Sequence, residues 1–275
     1  MATTTPAKAS INDKTIVAKP SGFLSDMFVI AGRAIKSIPR EPEVFIPALF
    51  IPAFFFIVNI GALQDVTESI PGDGSFSYKA FQMPTAIIFA VTGISRANGL
   101  VTDISTGYFD RLLLTPTKRL PLLLGLMVAD FLLVILLCLP VVALGLALGV
   151  HFESGILGIF AFVLLGGLWG LAFTGFPYSI ALKTGSAAAV GSSFLLFFPF
   201  AFLTSSTIPL DLLTGWLRTI AKFNPLTYIL EGMRSLVTEG WDWTAIWQAL
   251  AAIAIVGGFS QFLSLMALRG RIKRN

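Results

Sequence analysis

Six long stretches that carry almost no charge restrict what this chain can fold into. They cover roughly residues 43–63, 82–102, 120–149, 155–180, 186–208 and 245–268. An α-helix needs about 20 mainly apolar residues to cross the roughly 30 Å hydrocarbon core of a bilayer. Because a backbone inside lipid must satisfy its own hydrogen bonds, each stretch is predicted to be a membrane-spanning helix. We therefore expect an all-α integral membrane protein with six transmembrane helices.

The composition agrees with a membrane protein and excludes several other classes. Of the 275 residues, 55% are hydrophobic and only 12% are charged, whereas about a quarter of the residues in a soluble domain are charged. The chain has a single cysteine, Cys138, and a single histidine, His151. These two residues cannot form a disulfide framework or a zinc cluster, so neither metal nor redox chemistry is predicted.

The basic residues predict how the spans are oriented. Lysine and arginine concentrate in the cytoplasmic loops of membrane proteins. Here the two tails, the loop at 96–119 and Lys183 hold all of the 19 basic residues except Lys79, Arg218, Lys222 and Arg234. Both termini are therefore predicted to be cytoplasmic. The net charge of +4 reflects this bias, and no nucleic-acid partner is expected.

The segment before the first span divides into two parts. Residues 1–22 show no hydrophobic period and are expected to form a flexible cytoplasmic tail. Residues 23–42 contain apolar side chains at helical spacing, namely Phe23, Met27, Ile30, Ala34 and Ile38. This pattern predicts an amphipathic helix in the cytoplasmic interface, which either anchors the chain to lipid or also contacts a cytoplasmic partner. A six-span domain at 43–268 and a basic cytoplasmic tail at 269–275 follow.

The cytoplasmic loop between spans two and three contains more apolar residues than a connector needs. The stretch "TDISTGYFDRLLLTPTKRLP", residues 102–121, offers Tyr108, Phe109, Leu112 and Leu113 within about three helical turns. We expect a short helix with an exposed, partly apolar face. Such a face is either a surface for a partner or a group of side chains that dips into the membrane interface.

The segment before the last span is predicted to form two short helices. Pro209 lies at one possible helix start, and Asn224 before Pro225 is typical of an N-cap followed by a first-turn proline. Each helix would have about a dozen residues and a length of about 18 Å, too short to cross the bilayer. We expect a re-entrant pair on the outer side that the rest of the protein shelters from lipid. Glu231 and Arg234 are close enough on one helix to pair.

Two features within the spans have competing interpretations. Asp130 is about ten residues into the third apolar stretch, where a carboxylate is costly, so we expect it to bind a neighbouring helix or else to handle cargo or protons. Arg96 is expected to extend toward the cytoplasmic interface. Most of the 25 phenylalanines are expected to face lipid, and a subset could form an apolar wall for cargo.

Two of these segments resemble one family. "DISTGYFDRLLLTPTKRLPLLLGLMVAD", residues 103–130, and "SSTIPLDLLTGWLRTIAKFNPLTYILEGMRSL", residues 205–236, are similar to motifs of the membrane subunits of type-2 ATP-binding-cassette exporters, the daunorubicin-resistance-type permeases. The six-span layout extends the resemblance over nearly the whole chain. Relatives often have glutamate where this chain has Asp103, which keeps the charge but shortens its reach.

The resemblance implies roles for both segments. One would be the coupling helix that binds a separate ATP-hydrolysing subunit, with the residues Asp103, Gly107, Tyr108, Phe109, Asp110, Arg111 and Leu112. The other would be an outer re-entrant gate that includes Pro209, Trp216, Asn224, Pro225, Tyr228, Glu231 and Arg234. A second permease subunit, identical or similar, would complete the pathway within the lipid of a bacterial inner membrane.

The sequence also predicts that this chain is not an enzyme. It contains no GxxxxGK[ST] phosphate-binding loop, so ATP and magnesium are expected on the partner subunit. The leading interpretation is the permease of an ATP-driven exporter of hydrophobic or amphipathic compounds. The alternatives are export of a glycan or lipid-linked polymer by the same machinery, an ATP-independent secondary transporter, and a scaffold.

Overall fold

A computed structural model describes residues 22–37, 42–68, 76–92, 95–113 and 119–273. Within these ranges the regular structure is entirely helical, so the predicted all-α class is confirmed. The helices are α1 (Phe23–Ser37), α2 (Pro42–Glu68), α3 (Tyr78–Thr92), α4 (Ala97–Ser105), α5 (Tyr108–Leu113), α6 (Arg119–Ala147), α7 (Gly155–Thr184), α8 (Ala187–Phe202), α9 (Gly215–Phe223), α10 (Pro225–Thr238) and α11 (Trp243–Ile272). A short 3-10 turn covers Leu210–Leu212.

Five segments of the described chain are long and apolar enough to cross a membrane. They are Ile46–Asp65, Tyr78–Ser105, Leu123–Ala147, Gly155–Thr184 and Trp243–Ile272. The second consists of α3 and α4, with residues 93–94 between them outside the described part. The chain is thus a multi-pass membrane protein, with spans where the apolar stretches predict them.

The predicted span at 186–208 is shorter than expected, and the count of six spans is not confirmed. Helix α8 ends at Phe202 after 16 residues, which corresponds to about 24 Å. The Asn224 side-chain amide donates to the carbonyl oxygens of Phe200 and Leu203 at 2.7 and 3.0 Å. These contacts satisfy backbone groups that a longer helix would have satisfied internally.

The larger apolar core lies among α3, α6, α7, α10 and α11. Its biggest fully buried side chains include Trp169, Phe162 and Met83. Helices α7 and α11 approach so closely at Gly175 that an added Cβ would lie 2.4 Å from the Ser260 carbonyl carbon. The Ser260 hydroxyl also donates to the Ala172 carbonyl oxygen. Small residues therefore set the spacing of this helix pair, as they do in many membrane bundles.

A second apolar cluster lies at the end of the bundle that is predicted to be cytoplasmic, and it includes α1. Met27 and Ile30 of α1 pack against Gly125 of α6, where an added Cβ would lie 2.8 Å from the Ile30 Cβ atom. The predicted apolar face of α1 thus packs on the protein rather than on lipid alone. A different face of α1 exposes Leu24, Phe28 and Val29.

Candidate functional site

The predicted coupling segment forms two short helices, α4 and α5, that are joined by a tight turn. Helix α4 ends at Ser105 and α5 begins at Tyr108. Gly107 in the turn has φ of 71°, a left-handed conformation that glycine adopts without strain. The turn therefore needs glycine at one of the positions that the family resemblance marks.

An ion pair joins this segment to α1. The Arg33 guanidinium lies 2.5 Å from the Asp103 carboxylate and 4.6 Å above the centre of the Tyr108 ring. Both contacts are partly exposed, so each adds modest stability. Asp103, predicted to belong to the coupling surface, therefore also links α4 to α1.

The two aromatic residues at the start of α5 differ in their exposure. Tyr108 is 37% exposed, whereas Phe109 is only 4% exposed and belongs to the cluster that contains Leu100 and Leu182. The expectation that Phe109 lies on an exposed face is therefore wrong, because α5 turns this side chain into the bundle. Arg111 is exposed. The side chains of Asp110 and Leu112 lie outside the described part.

Asp130 binds neighbouring helices, which is one of the two interpretations drawn from its sequence. It is 1% exposed. Its Oδ2 atom accepts hydrogen bonds from the Tyr178 hydroxyl at 2.7 Å and the Ser95 hydroxyl at 3.3 Å. Its Oδ1 atom accepts from the Arg96 backbone N–H at 2.8 Å. A buried carboxylate needs such donors in apolar surroundings.

At the other end of the bundle, Asn224 caps α10 as predicted. Its side-chain oxygen accepts from the Leu226 N–H at 3.0 Å, and Pro225 is the first helical residue. Pro209 does not begin an α-helix, contrary to prediction. It precedes the 3-10 turn, and α9 starts only at Gly215.

Arg234 of α10 is the centre of a buried polar network. Only 5% of its side chain is exposed, and its Nη1 atom lies 2.8 Å from the Glu231 carboxylate, as the three-residue spacing predicts. The guanidinium also donates to the Ser205 hydroxyl and carbonyl oxygens at 2.9 and 2.7 Å and to the Phe81 carbonyl oxygen at 3.1 Å. Arg234 thus joins α10 to α3 and to the loop after α8.

Five polar residues that the sequence analysis did not single out extend this network, which Arg234 reaches through the Thr85 hydroxyl at 3.5 Å. The Thr85 hydroxyl donates to the Ser206 carbonyl oxygen at 2.9 Å. Gln82 donates from its amide to the Tyr78 hydroxyl at 2.6 Å and to the Thr207 carbonyl oxygen at 3.4 Å. Gln82 and Thr85 lie three residues apart within an apolar stretch. In the sequence, only this three-residue spacing indicates that Gln82 and Thr85 lie on one helix face and could act together.

Helix α9 differs from α10 in its surroundings. Trp216, Ile220 and Phe223 are 69%, 40% and 84% exposed, so the described part of the chain does not shelter this apolar face. The described part of the chain thus shelters α10, as predicted for the re-entrant pair, but it does not shelter α9. Tyr228 connects the two helices, because its hydroxyl donates to the Lys222 carbonyl oxygen at 2.7 Å.

A groove of about 380 Å³ lies between α2, α3 and α8, within the usual size of small-molecule sites. Phenylalanine side chains form much of its wall, namely Phe55, Phe56, Phe89, Phe194, Phe198 and Phe202. Polar side chains also line it, namely Asn59, Gln82, Thr85, Ser206 and Thr207. None of the described residues that line it carries an ionisable group, so this part of the groove suits an apolar molecule with a neutral hydrogen-bonding part.

Phe89 is the centre of the aromatic wall. Its ring centroid lies 5.7, 6.2 and 5.8 Å from those of Phe197, Phe198 and Phe202 in edge-on geometry. Such contacts stabilise the wall. Metal binding has no such basis, because the described residues contain no cluster of three histidine, cysteine or acidic side chains.

Comparison with known proteins identifies relatives. Residues 25–238 match the family described as ABC-2 type transporter. The daunorubicin resistance ABC transporter permease protein DrrB1 of Streptomyces coeruleorubidus is 27% identical over 76% of this chain and 74% of its own length. The putative transport permease ycf38 of Cyanophora paradoxa is 28% identical over 79% and 76%. The probable doxorubicin resistance ABC transporter permease protein DrrC of Mycobacterium tuberculosis is 22% identical over 79% of each chain.

Proposed function

This chain belongs to the ABC-2 type transporter family as a permease subunit, and we propose that it carries hydrophobic or amphipathic compounds outward in an ATP-driven exporter. The groove between α2, α3 and α8 is the observation that carries this proposal. Its phenylalanines provide an apolar wall, and its amide and hydroxyl groups provide hydrogen bonds. This combination is typical of sites that bind amphipathic molecules.

Helix α2 forms one wall of the groove and also has an exposed apolar face. Helix α2 packs on the bundle along one side only, and its other side exposes Phe50, Phe54, Ile57 and Val58. We propose that a second permease subunit covers this face, so that two grooves meet in one pathway. Helix α8 would serve as a short fifth span, with α9 and α10 as the outer re-entrant gate.

The energy source would be a separate ATPase subunit that binds at the opposite end of the bundle. Tyr108 and Arg111 expose an aromatic and a cationic group there, and such residues are frequent in protein interfaces. The ATPase would hold ATP and magnesium. Its conformational change can reach the groove only through contacts that differ between its states. We place the complex in a bacterial inner membrane with both termini cytoplasmic.

The direct test is the ATPase activity of a complex that is captured through a tag on this chain and reconstituted in lipid nanodiscs. We expect a co-purifying ATPase whose activity rises when amphipathic aromatic compounds are added. A chain that purifies alone, with no ATP hydrolysis, would contradict the proposal and favour ATP-independent transport or a scaffold. Stimulation by glycan or lipid-linked polymers alone would identify the alternative cargo.

Groove substitutions test where the cargo binds. Replacing Phe89 and Phe198 together by alanine should raise the concentration of compound that half-maximally stimulates ATP hydrolysis by about tenfold, because aromatic pairs contribute about 0.5–1.5 kcal/mol each beyond their buried area. Phe160 is the control, since it is 69% exposed on α7 and does not line the groove. An equal shift in Phe160→Ala would contradict binding in the groove.

Cysteine labelling tests the orientation. Thr214 and Thr238 are exposed at the end that carries the proposed gate. Introduced singly in a Cys138→Ala background, Thr214→Cys and Thr238→Cys should react with a membrane-impermeant thiol reagent in intact cells. Thr102→Cys, exposed on α4, should react only after the cells are opened. The reverse pattern would invert the topology.

A further inference from the structure

We propose that Asp130 is a positioning residue that transmits the movement of the coupling segment to α6 and α7. This inference rests on the proposed function, because it concerns how the ATPase would act on the permease. It assigns Asp130 neither to cargo nor to proton binding. Its basis is the set of hydrogen bonds that converge on this carboxylate at the start of α4.

Both oxygen atoms of Asp130 bind groups from other elements. Oδ1 accepts from the Arg96 backbone N–H at 2.8 Å, the residue immediately before α4. Oδ2 accepts from the Tyr178 hydroxyl of α7 at 2.7 Å and from Ser95 at 3.3 Å. One carboxylate of α6 therefore holds the start of α4 and the C-terminal part of α7 together. Hydrogen bonds to both oxygen atoms of one carboxyl group fix the orientation of the side chain.

The far end of α4 is also tied to α6, through α1. Asp103 in the last turn of α4 pairs with Arg33 of α1. Helix α1 in turn packs on α6 at Gly125, five residues before Asp130. Helix α4 is thus attached to the same part of α6 at both of its ends. A displacement of α5 must move α4, and α4 cannot move alone without breaking one of these two attachments.

A role in cargo binding is not supported by the position of Asp130. Its side chain is 1% exposed, and it does not line the groove between α2, α3 and α8. Phe131, the next residue of α6, faces Gly167 of α7. Asp130 therefore lies where α4, α6 and α7 meet. There it can alter how these helices pack, but it cannot contact a molecule in the groove.

Transport by the reconstituted complex tests this role. Asp130→Asn keeps the size of the side chain but replaces one of its two acceptor oxygens by an amide donor, and it should lower cargo moved per ATP hydrolysed by about tenfold, within the range of coupling between distant sites. Tyr178→Phe should lower it several-fold. The double variant should be no worse than Asp130→Asn, because both changes remove the same link. The matched control is Ser179→Ala, since the buried Ser179 hydroxyl donates within its own helix, to the Phe176 carbonyl oxygen at 2.7 Å.

A distance measurement tests the same link without any ATPase. Nitroxide labels at Thr102→Cys of α4 and Lys183→Cys of α7, both exposed, should give one narrow distance distribution in the Cys138→Ala background. Asp130→Asn and Tyr178→Phe should both broaden it while the thermal midpoint of Tyr178→Phe stays close to that of Ser179→Ala. If Asp130→Asn fails to fold, the distance distribution of Tyr178→Phe alone tests the positioning role.

The outcomes separate this inference from the proposed function. An unchanged distance distribution in the folded Asp130 and Tyr178 variants, or unchanged transport per ATP, would overturn the positioning role even if the complex exports cargo. If transport falls only in proportion to the amount of folded protein, Asp130 has a structural role alone, and this result would also overturn the positioning role. A wild-type complex without ATP-dependent transport would contradict the proposed function, and the distance measurement would still decide whether Asp130 holds α4 on α7.

Discussion

Replacing Arg234 by alanine should lower the free energy of unfolding by about 3 kcal/mol, because the change removes a charged donor from a buried network. The Ser205 and Phe81 carbonyl oxygens would each lose a hydrogen bond, and the Glu231 carboxylate would lose its ion-pair partner. The contact of the loop after α8 with α3 would then depend on the remaining hydrogen bonds of Thr85 and Gln82 to Ser206 and Thr207. Unfolding in mixed micelles, followed by tryptophan fluorescence, measures the change.

Two other arginine variants sharpen this prediction. Arg234→Lys keeps the charge but cannot form the forked contacts with Ser205 and Phe81, so it should recover only part of the stability. Arg218→Ala is the matched control, because its pairing with Asp211 at 3.4 Å is solvent-exposed, and it should change stability by less than about 0.5 kcal/mol. Equal effects at positions 218 and 234 would show that the buried network does not hold the loop.

Replacing Tyr108 by glutamate should reduce the amount of co-purifying ATPase by at least about tenfold while the permease stays folded. Tyr108 is half-exposed, and a central aromatic residue in an interface commonly contributes 2 kcal/mol or more to binding. Replacing Phe109 by alanine should act differently and lower the free energy of unfolding by about 3 kcal/mol, since its ring is buried. Pull-down yields per folded permease separate the two effects.

The control for the first of these variants is Tyr108→Phe, which keeps the aromatic ring above Arg33 and should retain the ATPase. If Tyr108→Glu retains the ATPase as well, this residue is not part of the coupling surface. If Phe109→Ala loses the ATPase without any loss of stability, its ring must contact the partner after a local rearrangement of α5.

The positions of the long spans could be predicted from the sequence because they contain mainly apolar residues and are long enough to cross a bilayer. The amphipathic α1 and the cap at Asn224 were predictable for a similar reason, since both depend on residues close together in the chain. The pairing of Glu231 with Arg234 also follows from local spacing along one helix.

Features that depend on contacts between distant segments were harder to predict. The rotation of α5 that buries Phe109 depends on packing into the second apolar cluster, to which several distant helices contribute, and periodicity over six residues cannot give it. The early end of α8 depends on Asn224, which follows it by more than twenty residues. Similarly, the phenylalanines of the groove could be identified only from the angles at which α2, α3 and α8 face one another.

The hydrogen bonds between Asn224 and the last turn of α8 also have a consequence for biosynthesis. During translation α8 emerges before α10, so the Phe200 and Leu203 carbonyl oxygens and the Ser205 hydroxyl lack their eventual donors at that stage. Exposing such groups to lipid costs several kcal/mol each. The end of α8 and the whole of α10 should therefore leave the translocon together, as one unit, rather than one helix at a time.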